Sequence, residues 1–164
     1  MTVPTTAVPL SRRPASPADD ALLMSLFTDA RPELFLLDPL VRDRVVDLQV
    51  RAQRREYAVA HPQATHDILV VDGVDVGQLV LAQTPNEVRI VDLSVLSSHR
   101  GRGIGSSVLR EVIDEADRRG RRVQLSVWSD NTAARHLYAS LGFVAEAKWD
   151  TAVGYVEMTR STHV

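Results

Sequence analysis

The most constraining feature is a strand-like run, Val88 to Val95, followed by the loop His99-Arg100-Gly101-Arg102-Gly103-Ile104-Gly105-Ser106-Ser107, which leads into an amphipathic helical pattern. Glycine is costly inside a helix, and its permissive backbone serves turns or close approaches. The loop is therefore either a turn with two solvated arginines or a grip for an anion. A strand, a glycine loop and a helix N-terminus point backbone N–H groups and the positive end of the helix dipole at one spot. The helix opens on Ser106 and Ser107 where an acid would usually be welcome, and its first acid is Glu111. A P-loop needs a lysine that this loop lacks. A dinucleotide fingerprint needs Gly-x-Gly-x-x-Gly in an early βαβ unit, whereas these glycines fall at 101, 103 and 105 in mid-chain. What remains suits a pyrophosphate.

The flanking sequence predicts a mixed α/β domain. Ser16-Pro17-Ala18-Asp19 is a helix start, and Ala21, Leu22, Leu23, Leu26 and Phe27 form its apolar side. A second helix starts at Asp38-Pro39, with Leu40, Val41, Val45, Leu48 and Ala52 at helical spacing. Gln49, Gln53 and Tyr57 make a separate stripe that is either plain surface or the wall of a pocket. Strands are expected at Ile68–Val71, Val76–Ala82, Val88–Val95, Val123–Trp128, Val144–Trp149 and Tyr155–Thr159, with a short edge strand near Val8-Pro9-Leu10. Helices are expected after the glycine loop and over Thr132–Leu141. This order indicates a largely antiparallel sheet covered by about four helices.

Bulk properties narrow the function classes. A chain of 164 residues with 45% apolar and 24% charged residues suits one globular domain. Four of the eight prolines lie in the first 17 residues, so residues 1–10 read as a flexible tail and 11–164 as the domain. A net charge of −2 gives no basic field to draw in nucleic acid. No apolar run approaches the ~20 residues of a membrane span, and the N-terminus lacks the apolar core of a secretory signal. Without cysteine there is no disulfide, thiolate metal site or cysteine nucleophile; no metal ligands are assigned. The composition suits a reducing cytosol, and a cytoplasmic location is expected.

Two segments carry a family resemblance. Arg100-Gly101-Arg102-Gly103-Ile104-Gly105 matches the acetyl-CoA motif Arg/Gln-x-x-Gly-x-Gly/Ala of the GNAT family of N-acetyltransferases. Asn131-Thr132-Ala133-Ala134-Arg135-His136-Leu137-Tyr138-Ala139-Ser140-Leu141-Gly142-Phe143 matches its second motif, Asn-x-x-Ala-x-x-x-Tyr-x-x-x-Gly-Phe. The resemblance covers about Ser11 to Thr159. It implies a central sheet splayed at the cofactor site, with acetyl-CoA as donor and an amine as acceptor. The acceptor would be a primary amine of a small molecule, or less favourably a protein amino group, attacking directly in a ternary complex. A homodimer is common among similar proteins. A reading of a different class is a non-catalytic acyl-CoA-binding or interaction module with the same fold.

The resemblance also implies site residues. Leu93, Ser94 and Val95 would pair with the pantetheine arm, as a strand pairs with a sheet edge. The amides from Gly101 to Ser106, including Gly103, Ile104 and Gly105, would hold the pyrophosphate, with Arg100 or Arg102 adding charge. Asn131 would reach the cofactor, and as a helix N-cap it would bond an N–H two or three residues on. Tyr138, two turns after Asn131, would give a proton to the departing thiolate; the alternative is a packed core aromatic. Some relatives place a glutamate base where this chain has Ser126. Asp92 is the best remaining acid, either a base or a structural carboxylate, and strict alternation puts it with Val88, Ile90 and Ser94. Acceptor choice in similar enzymes comes from the first two helices and their connection, here Ala30 to Leu37, which directs attention to Arg31, Glu33 and Asp38.

Overall fold

The computed structural model describes residues 9–146 and 154–162. Among these, seven strands form one sheet in the order β1-β2-β3-β4-β5-β7-β6. The strands are β1 (Leu10–Pro14), β2 (Thr65–Val71), β3 (Val74–Gln83), β4 (Glu87–Val95), β5 (Arg122–Trp128), β6 (Val144–Ala145) and β7 (Tyr155–Arg160). Four α-helices cover it: α1 (Asp20–Asp29), α2 (Pro39–Ala60), α3 (Ile104–Arg118) and α4 (Thr132–Ser140). All pairings are antiparallel except β4 with β5. The edge strand expected near Val8-Pro9-Leu10 is seen as β1, which begins at Leu10; Val8 lies outside the described residues. The expected strand Val144–Trp149 is seen as β6, and its last three residues lie outside the described residues.

Period-two alternation divides β2 between two cores. Leu69 and Val71 join the cluster under α3 and α4, while Ile68 joins the α1–α2 cluster with Val70 packed against it. On α3 the buried residues are Ile104, Val108, Leu109, Val112, Ile113 and Ala116, the stripe its sequence pattern predicts. Helix α2 is turned differently from expectation. Its buried residues are Val46 and Val50, whereas Leu40 and Leu48 are 79% and 66% exposed. The α1 side chains Leu23, Leu26 and Phe27 select the face that α2 presents, and that face carries the Gln53–Tyr57 stripe inward. At the start of α1, Asp19 closes a capping box with Ser16 and bonds Arg13, which also reaches Asp75.

Two irregularities shape β4. Pairing with β3 runs Val80↔Asp92 and then Leu81↔Ile90, so Val91 is an extra residue and β4 is bulged there. A bulge resets the side-chain alternation. Val88 and Ile90 belong to the α3 core with Leu93 and Val95 packed on it, whereas Asp92 bonds Tyr57 of α2 on the other face. The expectation that Asp92 shares a face with Val88 and Ile90 is corrected by this one residue; its grouping with Ser94 holds. The second irregularity is the pairing with β5, which spans only Glu87↔Arg122 to Ile90↔Leu125. Beyond it, β5 turns to β7, pairing Ser126↔Glu157 and Trp128↔Tyr155. Among the described residues, β4 from Val91 to Val95 has a strand partner on one side only, and the sheet is splayed.

Gly77 secures the closed side of this splay. A Cβ built there would lie 2.3 Å from the Ser94 carbonyl oxygen and 3.1 Å from a Leu69 methyl. Alanine at 77 must push β3 from β4 beside Ser94. We expect Gly77→Ala to lower stability by about 1–3 kcal/mol, the usual cost of overpacking, read as a drop in Tm.

Candidate functional site

The splay opens onto a cavity of about 340 Å³ between the sheet and helices α1 and α2. Asp92, Leu93 and Ser94 line its sheet side, Tyr57 and Gln53 its α2 side, and Leu26, Phe27 and Arg31 its α1 side; Asn131 and Tyr155 stand at its edge. A second cavity, about 510 Å³, shares Gln53, Tyr57, Val91 and Tyr155 with the first.

At the centre is the Asp92 carboxylate. One oxygen accepts from the Tyr57 hydroxyl (3.1 Å) and from Nε2 of Gln78 (3.1 Å); the other accepts from the Ser94 hydroxyl (2.9 Å). Gln78 is only 8% exposed, and its Oε1 lies 2.8 Å from Nε2 of His66. Because Gln78 donates to Asp92 and Ser94, its carbonyl faces His66, and His66 is the donor of that bond. Every described partner of the carboxylate is a neutral donor. Burial pushes the Asp92 carboxyl above the usual range, opposed in part by the Ser94 and Tyr57 hydrogen bonds. Burial and then the Asp92 charge push the Tyr57 hydroxyl far up, so it stays protonated.

Tyr138 lies on α4, part-buried, its ring tilted against Phe143 at 5.8 Å and packed on the α3 core. Burial, then the charge of Asp92, raises its pKa above the ordinary phenol value. It is not among the residues lining the cavity. The packing alternative and proximity to Asp92 both describe it.

Asn131 is the N-cap of α4, its Oδ1 accepting from the Ala134 amide at 3.2 Å, and it also borders the cavity. The glycine loop stands where β4 leaves the sheet. Gly101 (φ +73°) and Gly103 (φ +77°) adopt left-handed backbone, which glycine alone takes cheaply. Gly103 is the N-cap of α3; no side chain caps this terminus and its first turn holds no acid. The amides of Ile104, Gly105 and Ser106 precede the first helical bond, Ser107 N–H to Gly103 O, and are left for another acceptor. Arg102 is exposed beside them, whereas Arg100 donates from Nε to the Val95 carbonyl at 2.9 Å.

Position 126 carries a carboxylate indirectly. Glu157 of β7 stands opposite Ser126 and accepts its hydroxyl, and Arg89 grips the same carboxylate at 2.9 and 3.1 Å. Burial works to raise the Glu157 carboxyl, but Arg89 and Ser126 outweigh it and leave it below the usual value. Glu157 is held as a committed anion on the wall of the second cavity.

Tyr57, Gln78 and His66 line the cavity around Asp92, a placement that motif spacing does not reveal. The stripe on α2 pointed to Tyr57, and a glutamine inside the apolar run Val76–Ala82 was the available sign for Gln78. Among the described residues no group of His, Asp and Glu could hold a metal, and no helix is long and apolar enough to cross a membrane.

Comparison with known proteins places this geometry. The N-alpha-acetyltransferase RimI of Mycobacterium tuberculosis is 46% identical over 59 residues, 36% of each chain. The L-amino acid N-acetyltransferase AaaT of Escherichia coli is 32% identical over 85 residues, 48% of this chain and 52% of that one. The matches thus span about a third to a half of these curated relatives. The PaiA N-acetyltransferase of Thermoplasma acidophilum, solved in complex with coenzyme A, superposes with a TM-score of 0.68 at 14% identity, covering 93% of this chain and 98% of that one. The sequence profile of the acetyltransferase (GNAT) family matches residues 23–143, and the chain belongs to that family.

Proposed function

We propose that the protein transfers an acetyl group from acetyl-CoA to the primary amine of a small molecule. The observation that carries this reading is a recessed carboxylate with a raised pKa, Asp92, at the splay, with an uncapped, acid-free helix N-terminus at the end of the same strand. Those free amides and the side-chain-free Gly101, Gly103 and Gly105 fit a pyrophosphate, and the edge at Leu93, Ser94 and Val95, which β5 leaves without a strand partner and where Arg100 holds the Val95 carbonyl, fits an extended pantetheine arm. Asn131 would close the arm's path.

Acetyl-CoA supplies the acetyl group as a thioester, whose carbon–sulfur bond breaks as the amine nitrogen bonds to the acetyl carbon. The incoming amine arrives protonated, and Asp92 takes that proton, directly or through water. The three neutral donors orient the Asp92 carboxylate, and no cation is bonded to it directly. Tyr138, protonated at neutral pH, gives a proton to the leaving sulfur, and the second proton shed by the acylated nitrogen restores the phenol through water. The recess of the Asp92 carboxylate between the sheet and helices α1 and α2 favours a small acceptor over a protein amino group.

Thiol release from acetyl-CoA over an amine panel tests the reading; tight acetyl-CoA binding with no turnover on any amine would instead favour the acyl-CoA-binding module. Tyr138→Phe should lower kcat by roughly 10²-fold with little change in the KM for acetyl-CoA. Unaltered catalysis in that variant removes the proton-donor role.

The pH–rate profile tests the base. The ionised form of Asp92 accepts the proton, so activity should rise with pH through a midpoint above the ordinary carboxylate value of about 3.9. Tyr57→Phe deletes a donor to the ionised form and should move that limb to higher pH; Asp92→Asn should abolish it. An identical limb in the asparagine variant would exclude Asp92.

A further inference from the structure

We propose that the acceptor is a free α-amino acid, its carboxylate bound by Arg31 while its amine meets Asp92. This rests on the acetyl-transfer reading above and deepens it.

The argument starts from two opposite charges that share one cavity without neutralising each other. Asp92 is bonded by Tyr57, Gln78 and Ser94, all neutral. Arg31, at the end of α1, is held with its guanidinium carbon 3.6 Å over the Phe27 ring, and one of its Nη atoms donates to the Phe27 carbonyl at 3.2 Å. A guanidinium has five N–H donors, and this contact uses one. Among the described residues no carboxylate pairs with it. The other arginine on the cavity wall, Arg54, is already paired with Asp20 at 2.6 Å. Arg31 is near enough to Asp92 and Tyr57 to act on the ionisation of both.

The ring stack and the carbonyl bond fix the guanidinium while leaving donor edges for a planar oxyanion, the geometry in which arginine binds carboxylates two bonds at a time. An amine without a carboxylate satisfies Asp92 alone, and an acceptor with a second cation would be repelled by Arg31. A zwitterion supplies both missing counter-charges. Leu23, Leu26 and Val50 form the apolar part of the same wall, which suits an uncharged side chain.

The test compares leucine, leucinamide and 3-methylbutylamine as acceptors in steady-state kinetics, with calorimetric titration of leucine into the protein loaded with coenzyme A. We expect kcat/KM for leucine to exceed that for the amide and the amine by at least tenfold. Arg31→Gln should reduce leucine use and leucine binding by 10–100-fold and should lower the ratio of kcat/KM for leucine to that for leucinamide at least tenfold. Arg31→Lys, which keeps the charge but loses the fork, should recover part of the loss. Equal use of acid and amide by the unaltered protein, or an unchanged ratio in Arg31→Gln, overturns the proposal and leaves acetyl transfer standing. Acetylation confined to peptide N-termini does the same. Binding of acetyl-CoA with no turnover on any acceptor overturns both.

Discussion

The single extra residue at Val91 is the constraint on which the site depends. Up to Ile90, β4 is an ordinary interior strand, paired on both sides and turned towards the α3 core. One residue later its alternation is reset and its parallel partner is gone. Without the bulge, Asp92 would point into the Val88–Ile90 core, where a carboxylate has no donors and would carry a desolvation cost of several kcal/mol. With it, the same residue reaches Tyr57, Gln78 and Ser94. The bulge and the end of β4–β5 pairing are thus coupled, because a kinked, over-twisted strand cannot stay in register with a straight neighbour. The splay and the position of the carboxylate share one cause.

The legible parts of this molecule are those set by local sequence. The glycine loop, the α3 stripe and the Asn131 cap each depend on residues within a few turns of one another, and each stands where its pattern implies. The face of Asp92 is different, since a bulge is a property of how two strands pair and β4 alone holds no sign of it. Helix α2 makes the same point with apolar residues. Leu40, Val41, Val45 and Leu48 form as good a stripe as Val46 and Val50, and only the Leu23–Phe27 surface of α1 decides between them. Gln78 and His66 join the site across β2 and β3, a neighbourhood that exists only once the sheet has formed.

The treatment of charge is consistent with this division. Elsewhere the fold pairs its ions closely: Arg160 with Asp117 at 2.7 Å, Arg13 with Asp19 and Asp75, Arg89 with Glu157. These pairs join β7 to α3, β1 to the turn before α1 and to β3, and β4 to β7 across β5. Around the cleft three charges are instead given neutral partners: the Asp92 carboxylate, the Arg31 guanidinium and the partial positive charge at the N-terminus of α3. A charge held among dipoles keeps its field available to whatever enters, while a charge in an ion pair has spent it.

That contrast explains why Glu157 is a poor stand-in for the glutamate that some relatives carry at the position of Ser126. Its carboxylate is at the right place on the sheet, opposite Ser126, but two bonds from Arg89 stabilise its ionised form and depress its affinity for a proton. Asp92 lies on the other side of the splay, bonded to neutral donors only, and burial raises its affinity for a proton. A base must hold a proton well enough to remove it from an amine and loosely enough to let it go, so environment outweighs position in the choice between the two. Arg89 therefore does more than tie β4 to β7: it holds Glu157 as an anion of low proton affinity, and that contrast supports the proposal of Asp92 as the base.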